Sequence, residues 1–130
     1  NFFIIYGDSY LRVNLKKLCS HKNISTMGIL KNFNKFDKSN VLLKKGNFIK
    51  YDKINNKSKD FLYIDYGVSY VSNKIFRKYK RNKKIDLSLI YSEISNNNLL
   101  KGYIIKKRFY EIGSYSGINE LKKFLKKWNL

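Results

Sequence analysis

Phe2-Phe3-Ile4-Ile5-Tyr6-Gly7-Asp8-Ser9 is an apolar run that stops at a glycine and then presents a carboxylate. A short run of consecutive apolar residues reads as a strand buried on both faces, the pattern of a sheet covered by helices. Open α/β sheets build their sites at the carboxyl ends of such strands, so Asp8 stands where a functional acid is expected. A domain that uses Asp8 in this way also needs strands and loops ahead of it. The reading therefore expects an α/β sheet that is incomplete at its N-terminal side.

Working outward, the chain alternates strand-like and helix-like segments. Asn14 can cap a short helix from Leu15 to His21, with Cys19 half-buried on it, and Ser25 to Leu30 reads as a strand. Val41 to Leu43 and Phe48 to Tyr51 form a hairpin around Gly46-Asn47, two residue types that tolerate positive φ. Asn55 to Asp60 is a polar loop. Phe61 to Val71, dense in aromatic and β-branched residues, reads as a central strand, with Gly67 where a backbone or ligand can approach closely. Ser72 caps a helix through Ile75 and Phe76, and Asp86 caps another that carries Leu87, Ile90, Tyr91 and Ile94 at helical spacing. Gly102 to Lys106 is a strand, Phe109 to Ser114 a turn, and Gly117 to Trp128 an amphipathic helix. No repeat or linker divides the 130 residues, which read as a single domain with enough apolar content, 43%, to bury a core.

The formal charge of +19 suggests a nucleic-acid partner at first sight. Its distribution argues against one. Lysines are spread along the chain, mostly in pairs such as Lys16-Lys17, Lys44-Lys45 and Lys106-Lys107, with no basic tail and no Arg-rich helix. The abundance of Lys, Asn and Ile and the absence of Pro fit an AT-rich coding bias. A weak, salt-sensitive attraction to polyanions follows from the field, but no specific nucleic-acid recognition is expected. No apolar stretch approaches the ~18 residues of a membrane span, so no membrane partner is expected. One cysteine excludes a disulfide framework and suits a reducing cytoplasm.

Chemistry-bearing residues are sparse. There is no metal-spaced Cys/His cluster, serine elbow or phosphate-cradling glycine loop. His21, the single histidine, reads as a surface residue at a helix end. Of nine acids, four stand out: Asp8 after a buried strand, Asp52 beside Lys53, Asp65 inside an apolar strand, and Glu111 in Phe109-Tyr110-Glu111-Ile112-Gly113-Ser114. A lone carboxylate in an apolar run is costly unless it is paired, hydrogen-bonded or on a metal. Two carboxylates from distant strands commonly mark a divalent-cation site. Each acid also has a plainer reading. Asp8 can cap the following loop, Asp52-Lys53 can be an exposed hairpin end, Glu111 can pair with Arg108 or a lysine, and Asp65 can satisfy backbone donors beside Gly67.

Taken in order, Ile4-Ile5-Tyr6-Gly7-Asp8-Ser9-Tyr10-Leu11, Thr26-Met27, Ser39-Asn40-Val41, Tyr51-Asp52-Lys53, Tyr63-Ile64-Asp65-Tyr66-Gly67-Val68-Ser69 and Arg108-Phe109-Tyr110-Glu111-Ile112-Gly113-Ser114 resemble the sugar-1-phosphate nucleotidyltransferase family, near the bacterial heptose- and mannose-1-phosphate guanylyltransferases. The resemblance implies a Rossmann-like α/β/α sandwich with a mixed sheet. It implies transfer of a nucleoside monophosphate from a nucleoside triphosphate to a sugar 1-phosphate in the cytoplasm, for surface polysaccharide precursors, and leaves a homo-oligomer open. Mg²⁺ is the implied cofactor. Asp8 matches the family's Gly-Asp metal ligand, and Glu111 falls where many members carry a second metal-binding Asp. Asp52 and Lys53 sit where the family often has Glu-Lys, the acid on sugar hydroxyls and the Lys on the sugar phosphate. Asp65 and Gly67 are further candidates for the substrate pocket. The family's glycine-rich nucleotide loop and the Lys that follows it are not among these residues. The chain is therefore expected to match the family's C-terminal part and, on its own, to be inactive. The alternatives from other classes are a non-catalytic sugar-phosphate-binding remnant and a basic nucleic-acid-binding module.

Overall fold

In the computed structural model, which describes residues 1–19, 24–79 and 83–128, the chain folds as an α/β domain with a mixed sheet. Its strands are β1 (Phe2–Ile5), β2 (Ser9–Tyr10), β3 (Ser25–Lys31), β4 (Val41–Leu43), β5 (Ile49–Tyr51), β6 (Tyr63–Val71), β7 (Leu100–Ile104) and β8 (Tyr110–Glu111). Its α-helices are α1 (Leu87–Asn96) and α2 (Tyr115–Lys126). The aromatic and β-branched run expected to be central is β6, the longest strand.

β6 organises the sheet. Along one edge it pairs antiparallel with β3, and β7 lies parallel to β3 beyond it. Its other edge is shared. The C-terminal half takes β1 antiparallel, from Ile5 opposite Val68 to Phe2 opposite Val71, while Tyr63 at the start pairs with Val41 of β4, with β5 outside that. Between these two partners the outer edge of Asp65, Tyr66 and Gly67 is left without a strand. That gap positions the site.

Alternation along β6 sends side chains to two cores. Ile64, Tyr66 and Val68 pack with Leu18, Leu30 and Ile105 on one face. On the other, Val71 joins Met27, Ile29, Val41, Ile49 and Leu100 against Tyr91 and Ile94 of α1. Burying a large aliphatic side chain of this kind contributes about 1.5–3 kcal/mol relative to exposure. α1 forms where expected because Asp86 accepts a hydrogen bond from the Ser88 N–H at 2.8 Å and Ile90, Tyr91 and Ile94 share one face. At the hairpin, Gly46 and Asn47 take φ of 71° and 62°, the conformation their residue types permit.

Four expectations are corrected. The helix after Asn14 is a short 3-10 turn, Leu15–Leu18, although Asn14 does cap it through the Lys16 N–H. The segment after Ser72 is likewise 3-10, Asn73–Lys78, with no side-chain cap. Cys19 is exposed, because the turn ends at Leu18 and no packed helical face extends to it. The turn read from Phe109 to Ser114 contains β8, which pairs antiparallel with β2 in a separate two-stranded ribbon. His21 lies outside the described residues. No helix among the described residues is long and apolar enough to cross a membrane.

Candidate functional site

A cleft of about 660 Å³ opens where β1 and β4 part from β6. Asp8, Lys53, Asp65, Gly67 and Glu111 all line it, so five of the six residues singled out in the sequence come together. Asp52 is the exception. Its Oδ1 accepts the N–H groups of Ile54 and Asn55 at 3.0 and 2.7 Å. It closes an Asx-type turn, as its short carboxylate allows, rather than facing the cleft.

Asp65 forms the floor. Its backbone N–H donates to Asn40 Oδ1 at 3.0 Å, so the asparagine side chain stands in for the missing strand. The Gly67 N–H donates to Asp65 Oδ1 at 2.9 Å, and the Tyr6 hydroxyl donates to Oδ2 at 2.7 Å. The backbone-donor reading of Asp65 thus holds, on a side chain that also borders the cleft. Burial pushes its carboxyl up to about 6, against the lowering effect of the Tyr6 and Gly67 hydrogen bonds and the charge of Lys53. The same pair drives the Tyr6 phenol well above the usual tyrosine range, first through burial and then through the Asp65 charge.

Gly67 is where only glycine fits easily. Its φ is +84°, and a Cβ built there lies 3.3 Å from the Tyr6 ring and 3.4 Å from Ser9 Oγ. Its carbonyl accepts the Tyr6 N–H at 2.9 Å, the last rung before β1 leaves the sheet.

The β2–β8 ribbon brings the other two acids together. Glu111 pairs with Ser9, and the Ile112 N–H donates to the Asp8 carbonyl at 2.7 Å. Asp8 accepts the Ser9 hydroxyl at 3.3 Å; Glu111 Oε2 accepts the Ser114 hydroxyl at 2.7 Å. Ser114 is also the N-cap of α2, accepting the Gly117 N–H at 3.1 Å. Glu111 does not pair with Arg108, whose partner is Glu120 at 2.6 Å. Among the described residues no group of three or more His, Cys, Asp and Glu side chains converges. Among the described residues, Asp8 and Glu111 offer two hard oxygen donors with no sulfur or imidazole lining the cleft beside them. That donor set suits Mg²⁺, which takes few protein carboxylates and fills its shell from water and phosphate, better than Zn²⁺.

Tyr6, Lys35, Phe36, Asn40, Arg108 and Glu120 also line the cleft and were given no role from the sequence. Asn40 and Arg108 fall inside the quoted motifs, the signal by which they could have been found; Lys35 and Phe36 carry none. The charge distribution is unexpected. Five of the nine carboxylates of this +19 chain, Asp8, Asp37, Asp65, Glu111 and Glu120, line this one cleft.

No protein-family model matches the chain, and no curated protein matches it. Solved structures do. The inositol-1-phosphate CTP transferase from T. maritima superposes with a TM-score of 0.70 at 20% identity, over 95% of this chain and 54% of that one. A structure described as a glucose-1-phosphate thymidylyltransferase from Bacillus anthracis, in complex with a sucrose, gives 0.68 at 12% identity, over 94% and 53%. The fold of the chain is that of these sugar-1-phosphate nucleotidyltransferases, and the chain spans about half the length of each.

Proposed function

We propose that the cleft is the sugar-phosphate and metal side of a nucleotidyltransferase site, serving transfer of a nucleoside monophosphate from a nucleoside triphosphate to a sugar 1-phosphate. The concentration of carboxylates in one cleft of an otherwise basic chain carries this reading. Scattered lysines follow from composition, whereas five acids line this one cavity. Glu120 is paired with Arg108 and Asp65 is hydrogen-bonded by Tyr6 and Gly67, so Asp8 and Glu111 are the pair left for a divalent cation, and hydroxyl-rich sugars supply donors for the remaining oxygens.

Asp8 and Glu111 would hold Mg²⁺, which supplies charge neutralisation to phosphate oxygens during an in-line displacement. The chain's own residues do the positioning. Lys53, which lines the cleft and whose charge acts on Asp65, offsets the charge of the sugar phosphate and so eases the approach of two anions. Asp65, fixed by Tyr6 and Gly67, accepts from a sugar hydroxyl with its free lone pairs. The bare backbone at Gly67 lets the ring lie close to β6. Ser114 orients Glu111 and fixes the start of α2. The product is a nucleoside diphosphate sugar for surface polysaccharide precursors, made in the cytoplasm, where nucleoside triphosphates are available.

The test is binding by the 130-residue chain. Glucose 1-phosphate titrated in the presence of Mg²⁺ is expected to shift the backbone amide resonances of Asp65 and Gly67. Lys53→Ala is expected to weaken that binding by about tenfold, the loss of one charge-assisted contact, and to leave binding of phosphate-free methyl glucoside unchanged. Equal weakening for both ligands would show that Lys53 only shapes the fold.

A further inference from the structure

Arg108 lies on the rim of the cleft and touches three elements at once. Its Nη2 donates to Glu120 Oε2 on α2 at 2.6 Å, and its Nε donates to the Phe109 carbonyl at 3.2 Å. The guanidinium carbon sits 4.4 Å from the Tyr110 ring centre and 4.6 Å from that of Phe36, which comes from the segment between β3 and β4. Phe109, next in sequence, is edge-on to Tyr66 of β6 at 5.4 Å. The side chain therefore bridges the two rims of the cleft while two rings fix its plane.

The ion pair with Glu120 adds little stability. The Arg108 and Glu120 side chains are 36% and 54% exposed, and a pair this open is worth about 0–1 kcal/mol at most. What the arrangement does is orient a fork. Among the described residues Nη1 makes no hydrogen bond, so one edge of the guanidinium remains available. The cleft is lined by three cations among the described residues, Lys35, Lys53 and Arg108, and the two lysines are flexible point charges. Arg108 alone offers planar donors already held in place, the geometry that matches a phosphate and loses least freedom on binding it.

We propose that Arg108 is a phosphate-binding residue of the cleft, oriented by Phe36, Tyr110 and Glu120, with its Nη1 edge meeting a phosphate oxygen of the ligand. This rests on the reading of the cleft as a site for a phosphorylated sugar. Glu120 serves as the partner that holds the fork between ligands, and the incoming phosphate takes over part of that role.

The experiment uses the isotopically labelled 130-residue chain and glucose 1-phosphate, followed at the Asp65 and Gly67 amides. Arg108→Gln is expected to weaken binding roughly tenfold to a hundredfold, and Arg108→Lys, which keeps the charge but not the fork, by less. Glu120→Gln separates contact from scaffolding. If Arg108 meets the phosphate, Glu120→Gln, whose amide oxygen can still accept from Nη2, weakens binding by less than Arg108→Gln does. If Arg108 merely ties α2 to the rim, Glu120→Gln and Arg108→Gln weaken binding alike, and the proposal is overturned. Wild-type affinity in Arg108→Gln overturns it too, with the cleft reading left standing. Absence of any shift in the wild-type chain overturns the cleft reading itself, and this inference with it.

Discussion

Asp65 is a carboxylate placed where its charge is disfavoured, and that has a measurable signature. Its folded-state value of about 6 lies above the ordinary aspartate value of 3.8. The folded chain therefore holds this proton more tightly than the unfolded one. The resulting stabilisation is fully present below the unfolded value and is lost as pH rises through about 6, a loss of roughly 3 kcal/mol for a shift of this size. Asp65→Asn removes the ionisation yet keeps an oxygen for the Gly67 N–H, and the Tyr6 hydroxyl can turn to accept from the new amide. Urea unfolding at pH 4 to 7.5 should show wild-type stability falling through this window relative to Asp65→Asn, with the two pH profiles parallel above pH 7. Parallel profiles throughout would mean that Asp65 titrates as an exposed acid. A site that keeps such a group at neutral pH accepts a cost to stability, as functional sites do. Lys53, the one cation that lowers the Asp65 value, is the compensation that the cleft itself provides.

The ribbon of β2 and β8, with α2 behind it, is the element that carries Glu111. Ser114 has two tasks there, capping α2 at the Gly117 N–H and donating to Glu111. Ser114→Ala should lower the unfolding free energy by about 1 kcal/mol, the usual cost of a lost N-cap. A denaturation midpoint equal to wild type would contradict the capping geometry. The ribbon was also the part least legible in the sequence. β6 and α1 could be read because long runs show their period, two for the strand and 3.6 for the helix with its Asp86 cap. Strands of two residues have no period to show, and the pairing of Ser9 with Glu111 arises from contacts about a hundred residues apart in the chain. The helix after Asn14 failed as an expectation for a related reason. Four residues suffice for a cap and a 3-10 turn but not for the cooperative hydrogen bonding of an α-helix. Asp52 has both a pocket and a hairpin-end reading because an acid followed by Lys looks the same in either place, and the Ile54 and Asn55 N–H groups that it accepts favour the turn. β1 pairs only with β6 among the described residues, and Phe2 and Ile5 on it are exposed.

At the scale of the whole molecule, net charge and local charge oppose each other. A +19 chain draws polyanions from a distance, with an effect that salt screens over about 8–10 Å. The cleft reverses the sign locally, with Asp8 and Glu111 on one ribbon and Asp65 on the strand beneath. The fold is shared with two sugar-1-phosphate nucleotidyltransferases over about half their length, so the chemistry proposed here stands or falls on that cleft. Its most direct test is divalent-cation binding, followed by the electron paramagnetic resonance of free Mn²⁺, which takes the same oxygen ligands as Mg²⁺. The wild-type chain should bind Mn²⁺, more tightly when glucose 1-phosphate is present, and Asp8→Asn and Glu111→Gln should each weaken binding at least about tenfold. Mn²⁺ binding that both variants retain in full, or that the wild-type chain lacks even with the sugar phosphate, would contradict the assignment of Asp8 and Glu111 as the metal-holding pair.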